Sequence, residues 1–224
     1  VCYSTLFNNS WKKIERSFGI TNAEVFENRA AKRVFPREQS LVLSGSSDGA
    51  KISEMTFSLV PSWSNTQTVK WSTYNARMER VSPKTGRPER IYQVPSWKES
   101  FGQKHCLIPI DKFYEACTDG GTASGFEVSF SQESGPLFAA GIFSDWSGPG
   151  LEHAPLFSYA IITTEPSSFI RDVGHDRMPA FLSESNAKRW LFDEFETSIL
   201  AFDFLKDSVF HPDLDFEKVR KLKS

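Results

Sequence analysis

Residues 41–60 read Leu41-Val42-Leu43-Ser44-Gly45-Ser46-Ser47-Asp48-Gly49-Ala50-Lys51-Ile52-Ser53-Glu54-Met55-Thr56-Phe57-Ser58-Leu59-Val60. An apolar run enters a Ser/Gly/Asp cluster, and beyond it Met55, Phe57 and Leu59 alternate with Thr56 and Ser58. Alternation with period two separates the faces of a strand, and Gly, Ser and Asp supply turn conformations, so the stretch predicts a β-hairpin. Working outward, Cys106 to Ile110 is a strand-like apolar run. Phe126, Val128 and Phe130 alternate with Glu127, Ser129 and Ser131 before a Ser134-Gly135-Pro136 turn and the apolar Leu137 to Phe143, which predicts a second hairpin. The β-branched segment Tyr159 to Thr163 reads as a buried strand.

Helical signals sit toward the ends. Asn9 or Ser10 can cap a short helix in which Trp11, Ile14 and Phe18 share one face, with Gly19 as its stop, and Ser185 to Phe195 has helical spacing. Residues 21–37 carry Arg29, Lys32, Arg33 and Arg37 on a partly helical or irregular segment. Residues 61–105, punctuated by Pro61, Pro83, Pro88 and Pro95, read as a long ordered loop region, of the kind that usually carries function. The expected fold is α+β: an antiparallel β-rich core, barrel-like or sandwich, with peripheral helices, in one domain spanning 1–224.

The 26 Lys plus Arg against 28 Asp plus Glu leave a formal charge of -2, which excludes a histone-like polycation and makes any nucleic-acid surface a local patch. One such patch is present. From Lys70 to Lys104 there are eight Lys or Arg against three Glu, whereas Asp193 to Glu217 is acidic. No stretch approaches the roughly 18 apolar residues of a membrane helix, and the start lacks the layout of a secretory signal. A soluble cytoplasmic protein without a membrane partner is expected, nucleoid-associated in a bacterium. Cys2, Cys106 and Cys117 are odd in number, and His105, His153, His175 and His211 are scattered, so neither a disulfide framework nor a metal or organic cofactor is expected.

Four stretches combine reactive side chains with turn-forming neighbours. Cys2 is either a small hydrophobe or, once residue 1 is removed, a terminal residue bearing both an α-amine and a thiol, a pair that can capture an aldehyde. The basic segment around Trp71 to Arg77, interleaved with Trp63, Trp71, Tyr74, Tyr92 and Trp97, fits either a solvated loop or a surface where charge follows phosphates and aromatic rings stack on bases. Glu115, between Tyr114 and Ala116 just after an apolar strand, is either a surface strand-end carboxylate or one whose pKa apolar surroundings raise toward proton transfer. His175, in Gly174-His175-Asp176-Arg177-Met178-Pro179, is either a surface histidine or an oriented acid or base.

Together and in this order, these stretches resemble the SOS-response-associated peptidase (SRAP) family. The matching residues are Cys2; Pro61-Ser62-Trp63 with Asn75-Ala76-Arg77-Met78-Glu79; Cys106-Leu107-Ile108-Pro109 with Phe113-Tyr114-Glu115; and Ile161-Ile162-Thr163-Thr164-Glu165 with His175-Asp176-Arg177-Met178-Pro179. The resemblance implies a sensor of abasic sites in single-stranded DNA whose terminal cysteine forms a thiazolidine DNA-protein crosslink, and self-cleavage that removes the first residue. It implies Cys2, Asn75, Glu115 and His175 as the reacting set, with Asn75 holding the terminus or opened sugar. Glu115 and His175 would move protons, while Trp63, Arg77 and Arg177 would contact DNA.

The pattern departs from the family's usual Met-Cys-Gly-Arg opening, which here is Val1-Cys2-Tyr3-Ser4. The expectation is a monomer whose mature chain starts at Cys2. A thiol peptidase with Cys2 as nucleophile, or a noncatalytic single-stranded DNA-binding module, are the alternatives.

Overall fold

The computed structural model describes residues 3–118, 125–148 and 155–222. In chain order these form β1 (Ser4–Leu6), α1 (Trp11–Phe18), α2 (Ala23–Phe26), β2 (Arg33–Val34), β3 (Gln39–Ser46), β4 (Gly49–Phe57), β5 (Asn75–Arg77), β6 (Glu79–Val81) and β7 (Pro88–Arg90). A 3-10 turn at Ile91–Gln93 leads to α3 (Lys98–Gln103), β8 (His105–Ile110), β9 (Lys112–Thr118), β10 (Gly125–Ser131), β11 (Leu137–Trp146) and β12 (Leu156–Thr164). The remainder is α4 (Ser168–Asp172), β13 (Met178–Pro179), β14 (Phe181–Leu182), α5 (Glu184–Phe192), α6 (Ser198–Ser208) and β15 (Asp215–Lys221).

The fold is α+β, and its barrel-like core is a closed circuit in which β12, β4, β3, β8 and β11 pair in turn and β11 returns to β12. Closure removes free edges. A second sheet has the order β15-β10-β9-β1-β2. Strands β8, β11 and β12 are buried on both faces, which is why they read as continuous apolar runs, whereas β4 alternates buried with more exposed positions. Leu43, Leu107, Ala140 and Ile162 pack with Trp11 and Ile14 of α1, Phe101 of α3 and Trp190 of α5. Val42, Ile108, Ala139 and Ile161 turn the other way, onto Phe113 and Phe130 of the second sheet.

The hairpin at residues 41–60 forms as β3–β4, paired from Gln39↔Thr56 to Ser46↔Gly49, so its turn is tighter than the Ser/Gly cluster suggested. The α1 signals also hold: the Ser10 hydroxyl accepts from the Lys12 N–H at 3.2 Å, and Gly19 ends the helix at φ 60°. Gly49 closes the hairpin at φ 128°, and a Cβ there would lie 2.2 Å from the Gly19 carbonyl oxygen. Both the torsion and the clash involve backbone, which no rotamer relieves. Gly49→Ala should therefore cost about 3 kcal/mol, lowering the melting temperature by roughly 6–12 °C. An unchanged thermal melt would contradict this.

The expected second hairpin does not form. β10 pairs with β9 and β15, whereas β11 pairs with β8, β12 and β14, so the Ser134-Gly135-Pro136 turn carries the chain from one sheet to the other. Local turn chemistry reports a reversal and does not say which sheet receives the next strand. The loop region 61–105 also contains regular elements, the short β5, β6, β7 and α3.

Candidate functional site

Strand β9 sets the first group. Phe113, Glu115 and Cys117 are buried, while Tyr114 is half-buried and Ala116 exposed, the alternation a strand imposes. Glu115 thus lies on the inward face beside Phe113, which stacks on Phe130 at 4.9 Å, and opposite Val128. Burial strips water from the carboxylate and raises its pKa to about 8. At neutral pH the group is mostly the protonated acid.

The second group comes from the turn after α4. Ser167 caps that helix, Ile170 roots it in the core, and Gly174 at φ 102° reverses the chain so that the His175 N–H donates to the Ile170 carbonyl at 3.1 Å. His175 Nε2 then lies 3.3 Å from Glu115 Oε2, with side-chain exposures of 8% and 1%. Burial pushes the imidazole pKa down to about 4, so the ring is neutral. Nδ1 lies 2.9 Å from the Arg177 carbonyl oxygen and 3.2 Å from the Arg177 backbone nitrogen, contacts that call for opposite tautomers. Protonation at Nδ1, toward the nearer carbonyl, would leave Nε2 as an acceptor facing the Glu115 carboxyl. Acid and imidazole are matched without charge.

The end of β12 gathers the third group. β5 joins β12 in parallel, placing Asn75 opposite Ile161 and Arg77 opposite Thr163. Asn75 is buried and Arg77 exposed. The Arg177 guanidinium, 5% exposed as a residue, donates through Nη2 to the Thr163 carbonyl at 2.7 Å and reaches Glu165 at 3.4 Å. Burial and the neighbouring Arg77 charge lower its pKa. Both arginines therefore meet at Thr163, one at the surface and one tied into the fold.

Trp63 is half exposed, donates its indole N–H to the Pro95 carbonyl at 3.1 Å, and stacks on the similarly exposed Trp71 at 5.9 Å and 16°. The stack lies in an aperiodic loop, where no spacing rule pairs two tryptophans. Cys2 lies outside the described residues. Tyr3, which follows it, donates its N–H to the Tyr114 carbonyl at 3.1 Å, one residue before Glu115.

Sequence reasoning missed what anchors this short β1 strand. Arg33 Nε donates to the Ser4 hydroxyl at 2.7 Å, its guanidinium sits 3.6 Å from the Tyr114 ring centre, and it grips Glu127 at 2.8 and 3.2 Å. Only the basic character of residues 21–37 hinted at it. Cys117 shares the inward face with Glu115, and burial pushes its thiol up to about 11, which makes it a poor nucleophile at neutral pH. Among the described residues no group of three or more His, Cys, Asp or Glu is placed to hold a metal ion, and no helix is long and apolar enough to cross a membrane.

The family model described as SOS response associated peptidase (SRAP) matches residues 1–222. The chain belongs to the SRAP family. Among its SRAP relatives, the abasic site processing protein YoqW of Bacillus subtilis is 31% identical over 167 residues, covering 74% of this chain and 68% of that protein. The abasic site processing protein YoaM of the same organism is 30% identical over 167 residues, covering 74% and 67%. A crystal structure of a protein from Bordetella bronchiseptica superposes with a TM-score of 0.71 at 17% identity, covering all of both chains, which shows that the two share a fold.

Proposed function

We propose that this chain recognises abasic sites in single-stranded DNA and traps the ring-opened sugar covalently through Cys2. The observation that carries this reading is the neutral Glu115–His175 pair at 3.3 Å, one residue along β9 from the backbone contact of Tyr3. The relatives named as abasic site processing proteins support the substrate.

The chemistry needs a free Cys2 α-amine, and so removal of residue 1 by self-processing. The amine adds to the C1′ aldehyde and the resulting carbinolamine loses water, leaving a C=N bond; the Cys2 thiol then adds across it, sulfur to carbon and hydrogen to nitrogen, closing a thiazolidine. Loss of water requires a proton on the departing hydroxyl. Glu115 holds one at neutral pH, and His175 Nε2 can receive or return it. Asn75 would hold the terminus or the opened sugar by hydrogen bonds. Arg77 would contact phosphate from the surface, and Trp63 with Trp71 would offer a stacking face. Arg177, tied to Thr163, would add positive charge behind Arg77. The reaction requires no cofactor or metal, and the protein would act as a cytoplasmic monomer, at the nucleoid in a bacterium.

The peptidase alternative needs His175 to deprotonate a thiol. That reading casts Glu115 as the carboxylate that orients the ring, whereas burial keeps Glu115 mostly as the protonated acid at neutral pH. That disfavours peptide hydrolysis as the main activity.

The test is incubation with a single-stranded oligonucleotide bearing one abasic site, followed by a denaturing gel. A retarded band that Cys2→Ala abolishes is expected. No band from protein whose intact mass confirms a free Cys2 terminus would reject covalent trapping, and retention on a native gel alone would leave a binding module.

A further inference from the structure

Strands β6 and β7 form a two-stranded sheet that pairs with neither of the larger ones. This hairpin grows directly out of β5, the strand that carries Asn75 and Arg77. Its root is fixed: the Met78 N–H donates to the Thr163 carbonyl at 2.9 Å, the Ile91 N–H to the Met78 carbonyl at 2.9 Å, and both side chains lie in the core. Its tip is ordered too. Ser82 N–H donates to the Arg87 carbonyl at 2.8 Å, Gly86 N–H to the Ser82 carbonyl at 2.9 Å, and Gly86 takes φ 65° with nothing within 4 Å of where a Cβ would stand.

Charge along the arm is unevenly placed. Residues 79–90 contain Arg80, Lys84, Arg87 and Arg90 against Glu79 and Glu89, a net of two positive charges in a chain whose total is -2. Arg80 is matched by Glu89 across the hairpin at 2.7 Å, and Arg90 stands opposite Glu79 with its guanidinium on the Tyr92 hydroxyl. That accounts for both acids. Lys84 and Arg87 remain at the tip, exposed, with no ion pair among the described residues. Two cations on a rigid, solvent-surrounded turn suit a polyanion that passes by, because each neutralised phosphate releases condensed counterions.

We infer that the 79–90 hairpin is an arm that grips the phosphate backbone of single-stranded DNA flanking the lesion, through Lys84 and Arg87. The inference rests on the proposed abasic-site function and adds a contact separate from the reacting groups. Even fully extended, the chain from Asn75 to Lys84 spans at most about 30 Å, so the grip falls within a few nucleotides of the trapped sugar. The arm contributes affinity and register, and no proton transfer.

The test uses the full chain and a single-stranded oligonucleotide carrying a tetrahydrofuran abasic analogue, which has no aldehyde and reports noncovalent binding only. Lys84→Gln/Arg87→Gln should bind roughly 5- to 20-fold more weakly at low salt, with the slope of log K against log salt shallower by about 1.4, near 0.7 per phosphate lost. With a true abasic site at saturating DNA the variant should crosslink at the wild-type rate, which also shows that it folds. An unchanged salt slope would overturn the arm, as would a fall in the saturating rate. Failure of the wild type to crosslink would instead sink the functional reading, so the two failures are distinguishable.

Discussion

Glu115→Gln should slow crosslinking to a single-stranded abasic oligonucleotide by about 10²- to 10⁴-fold at neutral pH, while binding to the tetrahydrofuran analogue stays within twofold. The amide fills the same space and can still donate to His175 Nε2, but it has no proton to give to a departing hydroxyl. The carboxyl is suited to that step because burial holds its pKa at about 8. Single-turnover rates at saturating DNA measure the effect directly. The wild-type rate should also decline above about pH 8 as the acid form is lost, and the residual rate of the variant should lack that limb. Equal rates would remove Glu115 from the chemistry.

The same residue should leave its mark on stability. The folded pKa of about 8 lies above the ordinary 4.5, so the folded chain keeps a proton that the unfolded chain releases. Stability contributed by the protonated acid is complete below about pH 4.5 and is lost as pH rises toward 8, at up to about 1.4 kcal/mol per unit. His175 acts in the opposite sense. Its pKa falls from 6.5 to about 4, so its contribution is complete above pH 6.5 and is lost on acidification. The two slopes oppose each other between about pH 4.5 and 6.5, and from 6.5 to 8 only the Glu115 loss remains. Glu115→Gln removes that loss. Its advantage over the wild type should grow from little at pH 5 to on the order of 4 kcal/mol at pH 8, roughly 10 °C in melting temperature. Thermal melts across that range would show a constant offset if Glu115 were an ordinary carboxylate.

What could be read from the sequence depended on whether one local period carried the signal. α1 was legible because Ser10, the Trp11/Ile14/Phe18 stripe and Gly19 agree, and β3–β4 and β12 because their apolar runs are bounded by turns. β9 was not. A carboxylate on its inward face breaks the apolar alternation, so Lys112–Thr118 looked like the end of a strand when it is a strand in its own right. β15 escaped for the opposite reason: every residue of Asp215–Lys221 is exposed, so burial imposes no pattern on it. α6 was hidden in the acidic tail, where only scattered apolar residues mark its buried stripe of Ala201, Phe202 and Leu205. In the candidate site, Glu115, His175 and Asn75 were nameable from their motifs. Their juxtaposition was not, because it depends on how β9, the turn after α4 and the parallel β5–β12 pair meet.

The strand that carries Glu115 has a partition at every step: one side faces Phe113 and Cys117, the other Tyr114, Arg33 and Glu127. The raised pKa of the acid is thus a property of parity as much as of residue type. Insertion or deletion of a single residue ahead of Glu115 in β9 would deliver the same carboxyl to the outer side, where water and a guanidinium would make it ordinary, with every named site residue still present in the sequence. A lineage could fall silent by such a slip, and its motifs would still look intact.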